Sequence, residues 1–129
     1  MIQTDTFLKL KTELEAQGVT LVAVSKTQPP ETILKVYQLG QRIFGENRVQ
    51  ELLDKYEGLP GDIQWHLIGH LQTNKVRQVI SIVSMIASVD SIKLLDLIHK
   101  EALKAGRVVD ILLQIKISIG IRVGIRSGD

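Results

Sequence analysis

Leu21-Val22-Ala23-Val24-Ser25-Lys26-Thr27-Gln28-Pro29-Pro30 is the stretch on which the reading of this chain turns. Its first four residues are all apolar, which predicts a strand buried on both faces, as parallel sheets require. Pro29 and Pro30 open a helix, because proline is tolerated in a first turn whose N–H groups have no helical partner. Lys26 therefore stands at the carboxyl end of a strand. Ligands collect at that end of the strands in barrels and open sheets of parallel strands, so Lys26 is expected to face a pocket. An ordinary lysine has a pKa of about 10.4, and a desolvated site lowers it enough to leave a neutral amine that condenses with an aldehyde as a Schiff base. On spacing alone, a solvated lysine at the end of a strand fits as well.

Outward from this stretch, strand and helix signals alternate. Thr4 to Gln17 place Phe7, Leu10 and Leu14 on one helical face, with Gly18 as the C-terminal stop, and a strand follows over 19–25. Beyond the prolines, Ile33, Leu34 and Tyr37 continue at helical spacing. Arg42-Ile43-Phe44-Gly45 is a second strand, and Asn47 with Gln50 fits a capping box at the next helix. Asn47 also lies at a strand's carboxyl end, where its amide can face a ligand beside Lys26. Residues 63–69 form a third strand, with a helix from Thr73 through Ile80. Residues 85–89 form a fourth strand, with Asp90 or Ser91 capping a helix to Gly106, and 108–115 a fifth. Strands alternating with helices predict parallel α/β architecture with right-handed crossovers. From Ile111 to Ile125 every odd position is apolar, which predicts one very long strand or two strands joined at a glycine.

Composition narrows the function. With 129 residues and 44% hydrophobic content, one domain with a real core is expected. No apolar run approaches the ~20 residues that span a bilayer, and the first residues lack the order of a signal peptide, so a cytoplasmic protein with no membrane partner is expected. The absence of cysteine excludes disulfides and thiolate chemistry, and three histidines make a structural zinc site improbable. His66 and His70 straddle a strand and its loop rather than one helical turn. His66 is the better pocket candidate, and His99 is expected to face solvent. The net charge of +2 is spread thinly, with Glu13, Glu15, Glu31, Glu51, Asp54 and Glu57 interleaved among the cations. Few aromatic residues are available for stacking, so solvated helix faces are expected and nucleic acid is not.

Four segments together resemble a known group. They are 21–29 (LVAVSKTQP), 44–51 (FGENRVQE), 65–75 (WHLIGHLQTNK) and Val89-Asp90-Ser91, in order and with natural spacings, and the resemblance covers about residues 5 to 116. This pattern resembles the pyridoxal phosphate homeostasis proteins, the YggS or PROSC family. The resemblance implies a fold like the N-terminal barrel of alanine racemase, with pyridoxal 5′-phosphate (PLP) held by Lys26 as a Schiff base, Asn47 lining the cofactor face and His66 nearby. It implies cofactor binding, storage or delivery to PLP-dependent apoenzymes, without an established turnover reaction. A racemase-like enzyme is an alternative, although the barrel racemases take one acid/base group from a separate domain. A remnant that no longer binds PLP is another.

The departures from the family bear on the same question. An eight-unit barrel typically needs about 250 residues, and the sequence supplies five βα-type units. The family grips phosphate late in the chain, with a Ser-Met-Gly-Met and an Arg-Ile-Gly stretch. The first is absent, and Arg122-Val123-Gly124 echoes the second. The phosphate would then rely on backbone N–H groups at helix starts. The expected architecture is α/β: parallel (β/α) units of a TIM-type barrel, incomplete at about five strands, with an atypical β-like C-terminal tail. Residues 1–116 are read as a partial PLP-binding barrel domain and 117–129 as a tail outside the family pattern. An incomplete barrel leaves an apolar face and two sheet edges exposed, so self-association is expected.

Overall fold

The computed structural model describes residues 3–115 with their side chains and the backbone of residues 121–127. Five parallel strands run in sequence order through one sheet: β1 (Ala23–Val24), β2 (Ile43–Glu46), β3 (Gln64–Leu67), β4 (Val83–Val89) and β5 (Val109–Ile115). A sixth strand, β6 (Ile121–Ser127), pairs antiparallel with β5 from Val109↔Ser127 to Ile115↔Ile121. The alternating stretch near the C-terminus is thus two strands, and the residues joining them, with the glycine expected there, lie outside the described residues. β1 and β6 are the two edges, so the sheet is open rather than closed into a barrel.

Local chemistry sets the helices. α1 (Thr4–Ala16) ends before Gly18, which adopts a φ of +73° that L side chains avoid. α2 (Pro30–Gln38) starts on a proline, as expected. α3 (Val49–Lys55) begins after Arg48 without any side-chain cap, so the capping box expected of Asn47 and Gln50 does not form; Gln50 instead donates to Asp54 one turn further on. The helix expected over 73–80 is a 3-10 turn (Thr73–Lys75) leading into a single helical turn, α4 (Val76–Val79). α5 (Ile92–Lys104) is capped by the Ser91 hydroxyl, which accepts from the Leu94 N–H at 3.1 Å.

Strand parity separates the two faces of the sheet. Phe44 and Trp65 lie side by side in register, as do Leu67 and Ile86 and then Ile86 and Ile111. All are buried in one core with Ile33 of α2, Leu52 of α3, Val76 and Val79 of α4, and Leu94, Ile98 and Ala102 of α5. The opposite row runs Val24, Gly45, His66, Met85, Asp110, and Val24 is 56% exposed there. Two expectations change. α1 buries no residue, and Leu10, expected on its apolar face, is 46% exposed; Lys11 of this helix donates from Nζ to Gln41 Oε1 at 3.0 Å. β1 is two residues long instead of seven. It has a neighbour on one side only, and at its amino end the buried Gln41 amide replaces the ladder by donating to the carbonyls of Leu21 (2.7 Å) and Ile43 (2.8 Å).

Candidate functional site

Lys26 follows β1 directly. The ladder extends one residue past the strand, where the Ser25 N–H donates to Gly45 O at 2.9 Å, and the chain then turns at Lys26 and Thr27. Lys26 is exposed, contrary to the expectation of a lysine enclosed by a pocket: β1 is an edge strand of an open sheet, and no described strand pairs with its far side. Thr27 has a φ of +62°, a left-handed conformation that is a genuine outlier for a β-branched residue. Its hydroxyl donates to Lys26 O at 2.6 Å and its N–H to Glu51 Oε2 at 2.6 Å.

Beneath this turn lies a buried charged set. Glu46, the last residue of β2, shares the helix-side parity of Phe44 and is 0% exposed. Its Oε2 accepts from the Ser25 hydroxyl and from Lys55 Nζ at 3.0 Å, while its Oε1 has no partner among the described residues. Lys55, at the end of α3 and 7% exposed, also reaches Glu51 Oε2 at 2.6 Å and donates to Ser25 O at 3.0 Å. The hydrogen bond from Lys55 holds the Glu51 carboxyl below the usual carboxylate range. The Thr27 N–H adds to that, and partial burial opposes it. Glu51 therefore does not belong to a solvated helix face, as its interleaving with cations had implied. The spacing of Glu51 and Lys55, one helical turn apart, was the readable signal of their pairing. Nothing in the local pattern pointed to Ser25, and Glu46 was marked only by sharing the parity of Phe44.

The other two candidates occupy neighbouring strands. His66 sits in β3 opposite Gly45 and Met85, on the face away from the helices, and is 8% exposed. Burial pushes its pKa below the ordinary histidine value, and the Asp110 carboxylate pulls in the other direction, so the imidazole is held neutral near pH 7. Gly45 keeps the row flat between Val24 and His66: a Cβ there would come within 3.2 Å of Val22 Cγ1 and Ile68 Cδ1. Asn47 lies just past β2, half-buried. It lines a cleft of about 220 Å³ with Arg48, His70, Gln72 and Lys75, among others, and neither Lys26 nor His66 borders that cleft. The loops after β2 and β3 touch here, since a Cβ on Gly69 would fall 2.2 Å from Asn47 O. The three residues thus occupy the carboxyl halves of three adjacent strands without sharing one enclosed cavity. His70 and His99 are exposed. Among the described residues no group of three or more His, Asp or Glu side chains is placed to hold a metal ion, and no helix is long and apolar enough to cross a membrane.

Comparison with known proteins gives the following. The family model described as alanine racemase, N-terminal domain, matches residues 5–129. A pyridoxal phosphate homeostasis protein of Aquifex aeolicus is 47% identical over 98 residues, covering 75% of this chain and 43% of the relative. The human protein of the same name is 42% identical over 101 residues, covering 73% and 37%. PipY of Synechococcus elongatus PCC7942, solved without PLP, superposes with a TM-score of 0.76 at 40% identity over 85% of this chain and 54% of PipY. The PipY structure with PLP bound gives a TM-score of 0.67 at 42% identity, over 78% and 50%. The chain spans less than half the length of these curated relatives.

Proposed function

Since this chain belongs to the alanine racemase N-terminal domain family, we propose that it binds pyridoxal 5′-phosphate through the amine of Lys26 and holds the cofactor without turning over a substrate. The observation that carries this reading is the Lys26 turn: an exposed primary amine at the carboxyl end of a parallel strand, on backbone fixed by a buried charged set. The name shared by the relatives and the PLP-bound state of PipY support the same choice of ligand.

The residues present fit the group. The cofactor supplies an aldehyde, and Lys26 supplies the amine that such an aldehyde bonds with loss of water. The neutral His66 offers a polar edge on the next strand but one, without adding charge. Asn47 presents an amide near the same strand ends. Arg48 and Lys75, in a cleft lined by no carboxylate, suit an anionic group. In this reading residues 1–116 form the binding unit and 117–129 a strand-forming tail. The protein works in the cytoplasm and passes cofactor to PLP-dependent apoenzymes, and copies of the chain associate through the open sheet face.

One observation favours a second reading, a remnant that no longer binds PLP. Lys26 is exposed and Val24 beside it is 56% exposed, so desolvation of the amine is incomplete. Absorption spectra of the purified chain titrated with PLP, followed by borohydride reduction and mass mapping, separate the two. Binding predicts a reducible band and one modified residue, Lys26. Modification scattered over surface lysines such as Lys9, Lys35 and Lys93 at equal levels would overturn the proposal.

A further inference from the structure

We propose that Glu46, Glu51 and Lys55 are positioning residues for Lys26, a buried carboxylate–ammonium–carboxylate set that fixes the two peptide groups on either side of the lysine. This rests on the reading of Lys26 as the cofactor-bonding residue. The peptide before Lys26 is held through its carbonyl, Ser25 O, which accepts from Lys55 Nζ at 3.0 Å. The peptide after it is held through the Thr27 N–H, which donates to Glu51 Oε2 at 2.6 Å. Lys55 Nζ joins the two anchors, touching Glu46 at 3.0 Å and Glu51 at 2.6 Å, and the Ser25 hydroxyl closes the set on Glu46 Oε2. With both flanking peptide planes pinned, the backbone dihedrals of Lys26 are set and the direction in which its side chain leaves the sheet is set with them.

Two features mark the set as something other than a stability device. Two carboxyl groups and one amine meet on the helix side of the sheet, Glu46 and Lys55 buried and Glu51 partly so, and one oxygen, Glu46 Oε1, is buried without a partner among the described residues. Buried ion pairs of this kind are poor sources of stability next to apolar residues of the same volume, and their best-attested use is to specify one arrangement. The arrangement specified here includes Thr27 at a φ of +62°, a conformation that persists only where the surroundings over-determine it. An ordinary surface lysine in a turn needs neither. None of the three side chains is hydrogen-bonded to the Lys26 amine, so the effect is exerted through the backbone.

The unpartnered Oε1 provides the test. In Glu46→Gln the amide NH2 takes the place of Oε1 without displacing any donor, and the amide oxygen still accepts from Ser25 and Lys55. In Glu46→Ala the anchor is gone. Two measurements on the full chain are compared: amide hydrogen exchange of Thr27 by NMR, which needs no cofactor, and the ratio of PLP trapped by borohydride on Lys26 to that on exposed lysines. Glu46→Ala leaves the Thr27 N–H on Glu51 but removes a carboxylate that holds Lys55, the partner of Glu51, so it is expected to speed Thr27 exchange about threefold, less than outright loss of a charge-assisted hydrogen bond would, and to bring Lys26 trapping down toward the level of the surface lysines. Glu46→Gln keeps both near wild type. Ile98→Val in the core of α5 supplies a destabilised control that keeps Lys26 selectivity. Should Glu46→Ala fail to fold, Glu51→Ala, at the better-exposed end of the set, removes the acceptor of the Thr27 N–H outright and is expected to speed its exchange about tenfold. Wild-type Thr27 exchange in Glu46→Ala, or equal loss of selectivity in the Ile98 control, overturns the positioning role. Failure of the wild-type chain itself to trap PLP on Lys26 would sink the cofactor reading instead, and Thr27 exchange would still decide whether the set holds the turn.

Discussion

Replacing Lys55 by Met removes an ammonium and keeps the length of the side chain, so its effect on stability isolates the charge. Glu46 is fully buried and would be left with the Ser25 hydroxyl as its one remaining donor. Breaking a buried pair from one side costs about 3–5 kcal/mol, because the surviving charge stays desolvated and uncompensated. Glu51 adds little, about 0–1 kcal/mol, since its side chain is 23% exposed and keeps the Thr27 N–H. Set against the ~5–15 kcal/mol by which domains of this kind are stable, the variant is expected to be largely folded except at the bottom of that range, and sulfate in the buffer extends the measurable window. Urea unfolding at pH 7 should give a lower midpoint with an unchanged slope, the sign that stability and not compactness has moved. In Lys55→Met with Glu46→Gln no charge is stranded, and most of the loss should return, leaving a deficit of about 1–2 kcal/mol for the hydrogen bonds to Ser25 that are not replaced. The coupling between the two sites is then about 2–3 kcal/mol. A Lys55→Met midpoint within about 1 kcal/mol of wild type would place the pair among exposed salt bridges and refute the account of a dry, charged set, as would a double variant no better than the single one.

Gly69→Ala puts a Cβ 2.2 Å from Asn47 O and 2.9 Å from Asn47 Cα, all of it backbone that cannot rotate away, so a loss near the upper end of the ~1–3 kcal/mol typical of overpacking is expected. Gly61→Ala, with nothing within 4 Å of the new Cβ, should change the urea midpoint little, and equal effects at the two sites would refute the close approach of the loops. His66 is held neutral by burial, so its folded pKa lies below its unfolded value of about 6.5; the resulting stability is fully present above that value and is lost as pH falls through the folded pKa. Urea midpoints compared at pH 7.5 and pH 5 should fall more steeply for wild type than for His66→Gln, and parallel profiles would contradict a buried neutral imidazole.

Most of the fold was legible because its punctuation is local. Pro30 opens α2, Ser91 caps α5, and Gly106, at a φ of +65°, stops it, each by chemistry contained within a few residues. What periodicity could not supply was the number of neighbours. Phe7, Leu10 and Leu14 recur at helical spacing whether or not anything packs against them, and α1 buries none. The run from Leu21 to Val24 predicts a strand, but only pairing decides how much of it ladders, and an edge strand whose amino end is met by the Gln41 amide ladders over two residues.

The site divides along the same line. The place of Lys26 at the carboxyl end of a strand could be read from the apolar run before it and the two prolines after it, but its exposure could not, since that depends on β1 being an edge. Glu46 could not, because its meaning depends on register: only when Ser25 N–H meets Gly45 O does its carboxylate fall under the turn that carries Lys26. The interleaved charges of α3 concealed the rest, for Glu51 and Lys55 have the spacing of a solvated surface pair and are turned inward by Leu52 and Val49, which bury on the same helix. Besides the Glu51–Lys55 spacing, a carboxylate at the parity of Phe44, on the face the sheet turns to its helices, was the trace of this arrangement in the sequence. An acidic residue closing an apolar strand with its side chain on the core face cannot remain unpaired, so it demands a cation from the next element. Lys55, nine positions on at the end of α3, is where that demand is met.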